Sequence, residues 1–120
     1  MTRLHRDTSR VLNRSAIVVQ PAQPFLDWLH EADPSSSDIG LDDLQREPTA
    51  YLLPDVNSPR ELERVLRNSF DTIFTSELQG WLQDESAWPA KRTLSMFRSW
   101  FEVSVHSMLI DLVDTDLSYD

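Results

Sequence analysis

The chain has 120 residues, 40% of them hydrophobic and 26% charged, which suits a single globular domain with its own core. It has no cysteine, so disulfides, thiolate catalysis and thiolate zinc sites are excluded, and no apolar run approaches the ~18 residues of a membrane span. The net charge of −9 is uneven: Arg3, Arg6, Arg10 and Arg14 against Asp7 give residues 1–14 a charge of +3, leaving −12 for the rest.

That division sets the expected organisation. Residues 1–14 read as a basic flexible arm, the alternative being contact with phosphate, anionic lipid or an acidic partner. Residues 15–117 read as one domain and 118–120 as a frayed tail. An acidic body disfavours nucleic acid, whose phosphates need neutralising. With neither a membrane span nor the apolar core of a secretory signal, the expected setting is cytoplasmic.

In chain order, Ser15 to Gln20 holds Ala16, Ile17, Val18 and Val19, a short β-branched run that predicts a buried strand. Pro24 opens a helix with Phe25, Trp28, Leu29 and Ala32 on one face, ending at Asp33-Pro34 because the residue before proline is pushed out of helical geometry. Ser35 to Asp38 reads as a polar loop without an apolar anchor, and Leu41 to Gln45 as one or two helical turns. Thr49 to Leu53 predicts a second strand, with Tyr51 and Leu53 facing one way and Ala50 and Leu52 the other.

The dominant signal runs from Ser58 to Leu82. Leu62, Val65, Leu66, Phe70, Ile73, Phe74, Leu78, Trp81 and Leu82 recur three and four apart, which makes one amphipathic helix face. Ser58, Pro59 and Glu61 mark its start as cap, first-turn proline and capping-box partner. Ser76 followed by Gln79 repeats a capping signal, so a bend is expected there, and Gly80 weakens the last turns. Gln83 to Pro89 reads as an irregular connection. Thr93 caps a further helix with Leu94, Phe97, Trp100 and Phe101 inward and Arg98 outward. Alternation from Glu102, running into Met108, Leu109 and Ile110, predicts a third strand to about Leu112, the longest of the three, before a frayed acidic end.

The expected fold is α+β: a small three-stranded sheet packed against a long central helix and two to three shorter helices. The helical connection between the first two strands is long enough for a right-handed parallel crossover.

Candidate chemistry is sparse. Two glycines, Gly40 and Gly80, cannot make a glycine-rich phosphate loop, and His5, His30 and His106 have no metal-ligand spacing. Asp38, Asp42 and Asp43 lack the alternation of a calcium loop; first-turn helix placement explains the last two. No cofactor is implied. One constellation stands out: Asp84, Glu85, Trp88, Lys91 and Arg92 gather two carboxylates, an aromatic and two cations on one connection, where binding function often sits. Trp88 is either an interface anchor or a lid on the end of the long helix. His106 is either a general acid or base or a polar strand residue, and no orienting partner is identifiable.

The strings PFLDWL at Pro24 to Leu29, TAYLLP at Thr49 to Pro54, DESAWP at Asp84 to Pro89 and RTLSMFRSWFEVSVHSMLIDL at Arg92 to Leu112 resemble a group of small acidic bacterial hypothetical proteins. The resemblance covers about Ser15 to Leu117 and implies a bacterial, cytoplasmic setting, with no catalytic residue to carry over. Two functions are consistent with the residues. One is a non-enzymatic interaction or regulatory protein that offers its acidic surface and the Trp88 loop to a basic protein partner. The other is a small hydrolase or ligand-binding enzyme with Asp84, Glu85 and His106 in one cleft and Arg92 holding an anion. A homodimer through a sheet edge or an aromatic patch fits both.

Overall fold

The computed structural model describes residues 10–120, so most of the expected basic arm, residues 1–9, lies outside them. The fold is α+β, as the patterning predicts. Three strands, β1 (Arg14–Pro21), β2 (Thr49–Pro54) and β3 (Phe101–His106), form a sheet in the order β2-β1-β3. Four helices accompany it: α1 (Gln23–Ala32), α2 (Leu41–Leu44), α3 (Pro59–Trp81) and α4 (Leu94–Trp100).

β1 lies in the middle because it is the strand that is apolar on both faces. Ile17 and Val19 are fully buried and join Phe25, Leu29, Phe74, Leu78, Phe97 and Phe101 in one core. The opposite sheet face carries Ala50, Leu52, Glu102, Ser104 and His106, all exposed, so the helical layer covers one side. Ser15 is buried without penalty, since its hydroxyl accepts the Val56 amide at 3.0 Å.

Both strand pairs are antiparallel, which corrects the expected parallel crossover between β1 and β2. The connection does not cross the sheet. α1 stops at Asp33, whose side chain accepts the Ser35 amide and hydroxyl, and a 3-10 turn at Pro34–Ser36 reverses the chain. Ser36, placed in a polar loop by the sequence, is buried with its hydroxyl on Leu29 O at 3.1 Å. The chain therefore returns to the end of β1 that it left, where Gln45 Nε2 donates to Pro21 O at 2.9 Å.

α3 then runs back along the sheet. Its 23 residues make about 35 Å at 1.5 Å per residue. The start is as predicted, with Ser58 Oγ accepting the Glu61 amide, although the Glu61 carboxylate takes the Asn57 amide. The expected bend at Ser76 does not occur: the helix runs unbroken past it, and Ser76 Oγ lies 3.2 Å from Tyr51 Oη. On its outer face Glu63 pairs with Arg67 one turn on, and Asp71 pairs with Arg92 at 2.7 Å.

The third strand is shorter than predicted. It has 6 residues against 8 in β1, the longest strand. The pairing breaks after His106 opposite Ala16 and resumes one step out of register where Ile110 bridges Val11. Residues 107–109 face 12–15 across that break, an inserted residue of the kind that interrupts a ladder. Arg10 O, Leu12 N–H and the Arg10–Asp111 ion pair hold the resumed stretch, so sheet pairing begins before the expected boundary at Ser15.

Candidate functional site

A cleft lies between α1 and the connection that precedes α4. It encloses about 550 Å³ and is lined by Pro24, Asp27, Trp28, Glu31, Ala32, Ala87, Trp88, Pro89 and Trp100. Helical spacing explains one wall: Pro24, Trp28 and Glu31, with Asp27 and Ala32 beside them, form the edge stripe of α1 next to its buried face. Trp100, the last residue of α4, forms the floor against Phe25 and Phe74, with ring centroids at 6.2 and 5.4 Å. The opposite wall is the 3-10 turn Glu85–Ala87 and the Trp88-Pro89 pair that follows.

Two hydrogen bonds fix the indoles. Trp28 Nε1 donates to Ala87 O at 3.0 Å and ties α1 to the far wall. Trp88 Nε1 donates to Leu82 O at 2.7 Å and folds the connection onto the end of α3. Both N–H groups are therefore consumed, and Trp28 and Trp88 offer ring surface and no donor to the cleft. Trp28 and Trp100 sit with centroids 6.3 Å apart. The rim is acidic: Asp27 accepts Gln23 Nε2 at 2.9 Å through one oxygen, and Glu31 has no partner among the described residues.

Of the candidates from the sequence, Trp88 alone lines this cleft. It packs half-buried against the core and forms a wall of this cleft. Asp84 caps the 3-10 turn, its Oδ1 accepting the Ser86 amide and hydroxyl, bonds that hold its carboxyl below the usual range. Arg92 is bound to Asp71 and to Pro89 O, so it braces the connection. Glu85 lies in the same turn, near enough to Arg92 to act on its charge. His106 stands on the exposed sheet face with Nε2 at 3.1 Å from Ser104 Oγ.

The patterning missed Asp27, Glu31 and Trp100 as site residues. Helical spacing puts Trp28 and Trp100 on inward faces, where tryptophan is usually buried. The available signal was the stripe Pro24, Asp27, Trp28, Glu31 on one helix edge, in a chain with four tryptophans.

A second cleft of about 400 Å³ lies beside the C-terminal turns of α3, lined by Thr49, Tyr51, Ser76, Glu77 and Trp81 among others. Tyr51 Oη donates to Glu77 Oε2 at 2.5 Å. Burial pushes the Glu77 carboxyl up, opposed by the Tyr51 bond; burial, then Glu77, pushes the Tyr51 phenol up to about 12. Among the described residues no cluster of three or more metal-ligating side chains occurs, and no helix is long and apolar enough to cross a membrane.

Comparison of the chain with family models, curated proteins and solved structures finds no match. Fold and site define a small α+β protein with a tryptophan-walled, acid-rimmed cleft.

Proposed function

We propose that this is a non-enzymatic interaction protein that docks a basic partner by taking one of its arginine side chains into the tryptophan cleft. The observation that carries the reading is the pairing of indole faces with free carboxylate on one rim. A cation over an indole is attracted by the ring quadrupole, and a guanidinium also stacks on it and bonds a carboxylate through its planar fork. With their N–H groups spent, Trp28 and Trp88 offer ring faces, which suit a guanidinium. The acidic body adds attraction for the same partner at long range. The hydrolase alternative gains no comparable support, since Asp84 and Arg92 are already engaged within the connection.

The test is a titration of the whole chain with a short arginine peptide, followed by tryptophan fluorescence, beside the same peptide with neutral citrulline. Saturable quenching by the arginine peptide alone is expected, and Asp27→Asn with Glu31→Gln should weaken it about tenfold, the equivalent of roughly 1.4 kcal/mol. Equal responses to the two peptides, or an unaffected double variant, would sink the reading.

A further inference from the structure

β3 is an edge strand with nothing among the described residues paired to its outer side. Natural edges are blunted by proline, lysine or bulges. The other edge, β2, is bracketed by Pro48 and Pro54, whereas β3 reads Phe-Glu-Val-Ser-Val-His without proline, lysine or bulge inside the strand. Val103 and Val105 share the sheet face on which Ile17 and Val19 are wholly buried, yet they remain 39% and 37% exposed. The apolar face of the sheet therefore runs out to an open rim.

The hydrogen-bonding sense of that rim is fixed. Ala22 N–H donates to Trp100 O at 2.8 Å, one step beyond the Pro21 and Phe101 pair of the same register. Antiparallel strands alternate the direction of their backbone groups. Glu102, Ser104 and His106 therefore turn theirs to β1, while Val103 and Val105 turn N–H and C=O outward.

We infer that β3 pairs with β3 of a second copy of this chain, antiparallel about a two-fold axis through Ser104, to make a continuous six-stranded sheet. In that register Val103 meets Val105 of the second copy in a hydrogen-bonded pair, twice over by symmetry, so every outward group of the two valines is satisfied. Ser104 meets Ser104 as a close non-bonded pair. Glu102 lies opposite His106, an acceptor facing a donor ring on the exposed face. Both retain capacity for this, since Glu102 uses one oxygen for Gln20 and His106 one nitrogen for Ser104. Shifting the axis to Val103 or Val105 keeps the backbone bonds but loses the Glu102 and His106 match. The four half-exposed valine side chains close over the junction on the helical side.

The inference stands apart from the cleft and is tested on the full chain by sedimentation equilibrium over a concentration series. A shift toward twice the 13.9 kDa chain mass is expected as concentration rises. Val105→Pro removes an outward donor without touching the β1 ladder and is expected to stay at single-chain mass; Val103→Lys serves in its place if circular dichroism shows that the proline variant misfolds. The register has its own readout, because the chain has no cysteine and Ser104→Cys supplies the only thiol. Mild oxidation should link Ser104→Cys chains about tenfold faster than Glu102→Cys chains, since aligned thiols react at a high effective concentration. A chain that stays at single mass throughout overturns the inference. So does a dimer that persists when the edge is blocked, or equal rates of linkage at 102 and 104.

Discussion

Glu77 is held where a carboxylate is least comfortable, on the half-covered side of α3 with only Tyr51 and Thr49 to bond it. Its folded value is raised above the unfolded one by burial, so its stabilising contribution is complete below the ordinary carboxylate range and is lost as pH rises through the raised value. Tyr51 acts in the same sense at the alkaline end: stability held below the ordinary 10.0 is lost as pH climbs through about 12. Glu77→Gln keeps an acceptor for the phenol but removes the titration. The variant's melting temperature should therefore hold steady over the weakly acidic range in which the parent's declines; parallel curves would show that burial of Glu77 has been overstated. At the other cleft, Trp88 combines packing and recognition, and Trp88→Ala should cost about 2 kcal/mol, less than a fully buried tryptophan because one face is open. The same variant should lose arginine-peptide quenching. Loss of binding with an unchanged urea midpoint would make Trp88 an anchor only. Trp88 stood out in the sequence because it interrupts a charged connection; Asp27 and Glu31 did not, because acidic residues on an outer helix edge look like solubility until a wall faces them.

α3 shows why some elements are legible and others are not. Its cap, its first-turn proline and its apolar stripe are local features that agree with one another, and the helix begins where they say. The repeated signal at Ser76 failed because a cap needs the backbone to leave helical geometry. Leu78 and the neighbouring apolar residues gain more by continuing into the core. Ser76 is then free to serve Tyr51. The strand predicted to Leu112 failed for a related reason, since apolar character persists through Met108 and Ile110 while the partner strand slips by one residue. Gly80 offers a clean test of helix energetics. A Cβ there meets nothing within 4 Å, so Gly80→Ala costs no clash and reduces only the freedom of the unfolded chain. Its place near the helix end limits the gain to about 0.5–1 kcal/mol, read as a higher urea midpoint at constant slope. An unchanged midpoint would mean that the last turn is already frayed.

At the scale of the molecule, layer composition was readable and path was not. Binary patterning counts strands and helices, but whether β2 runs with or against β1 depends on where the intervening chain returns, and that is decided by contacts such as Gln45 on Pro21. The cleft is likewise a product of path, drawn from α1, the end of α4 and the connection between α3 and α4. What holds these pieces in register is the aromatic cluster beneath them. Phe74 is fully buried and meets Phe97, Trp100 and Phe101 at centroid distances of 6.3, 5.4 and 5.1 Å. Phe70, on the same helix, is half-buried and reaches Phe97 at 6.4 Å. Phe74→Ala should therefore cost about 3–5 kcal/mol, a large share of the roughly 5–15 kcal/mol expected for a domain, and Phe70→Ala about half as much. The two differ in a second way. Phe74 supports the ring of Trp100 that floors the cleft, so in conditions where the variant is still folded its arginine-peptide affinity should fall, while Phe70→Ala leaves it unchanged. Denaturation midpoints together with fluorescence titration of the two variants check both halves. Equal losses of stability would place Phe70 in the core proper, and an intact affinity in Phe74→Ala would show that Trp100 is positioned by Phe25 and Trp28 alone.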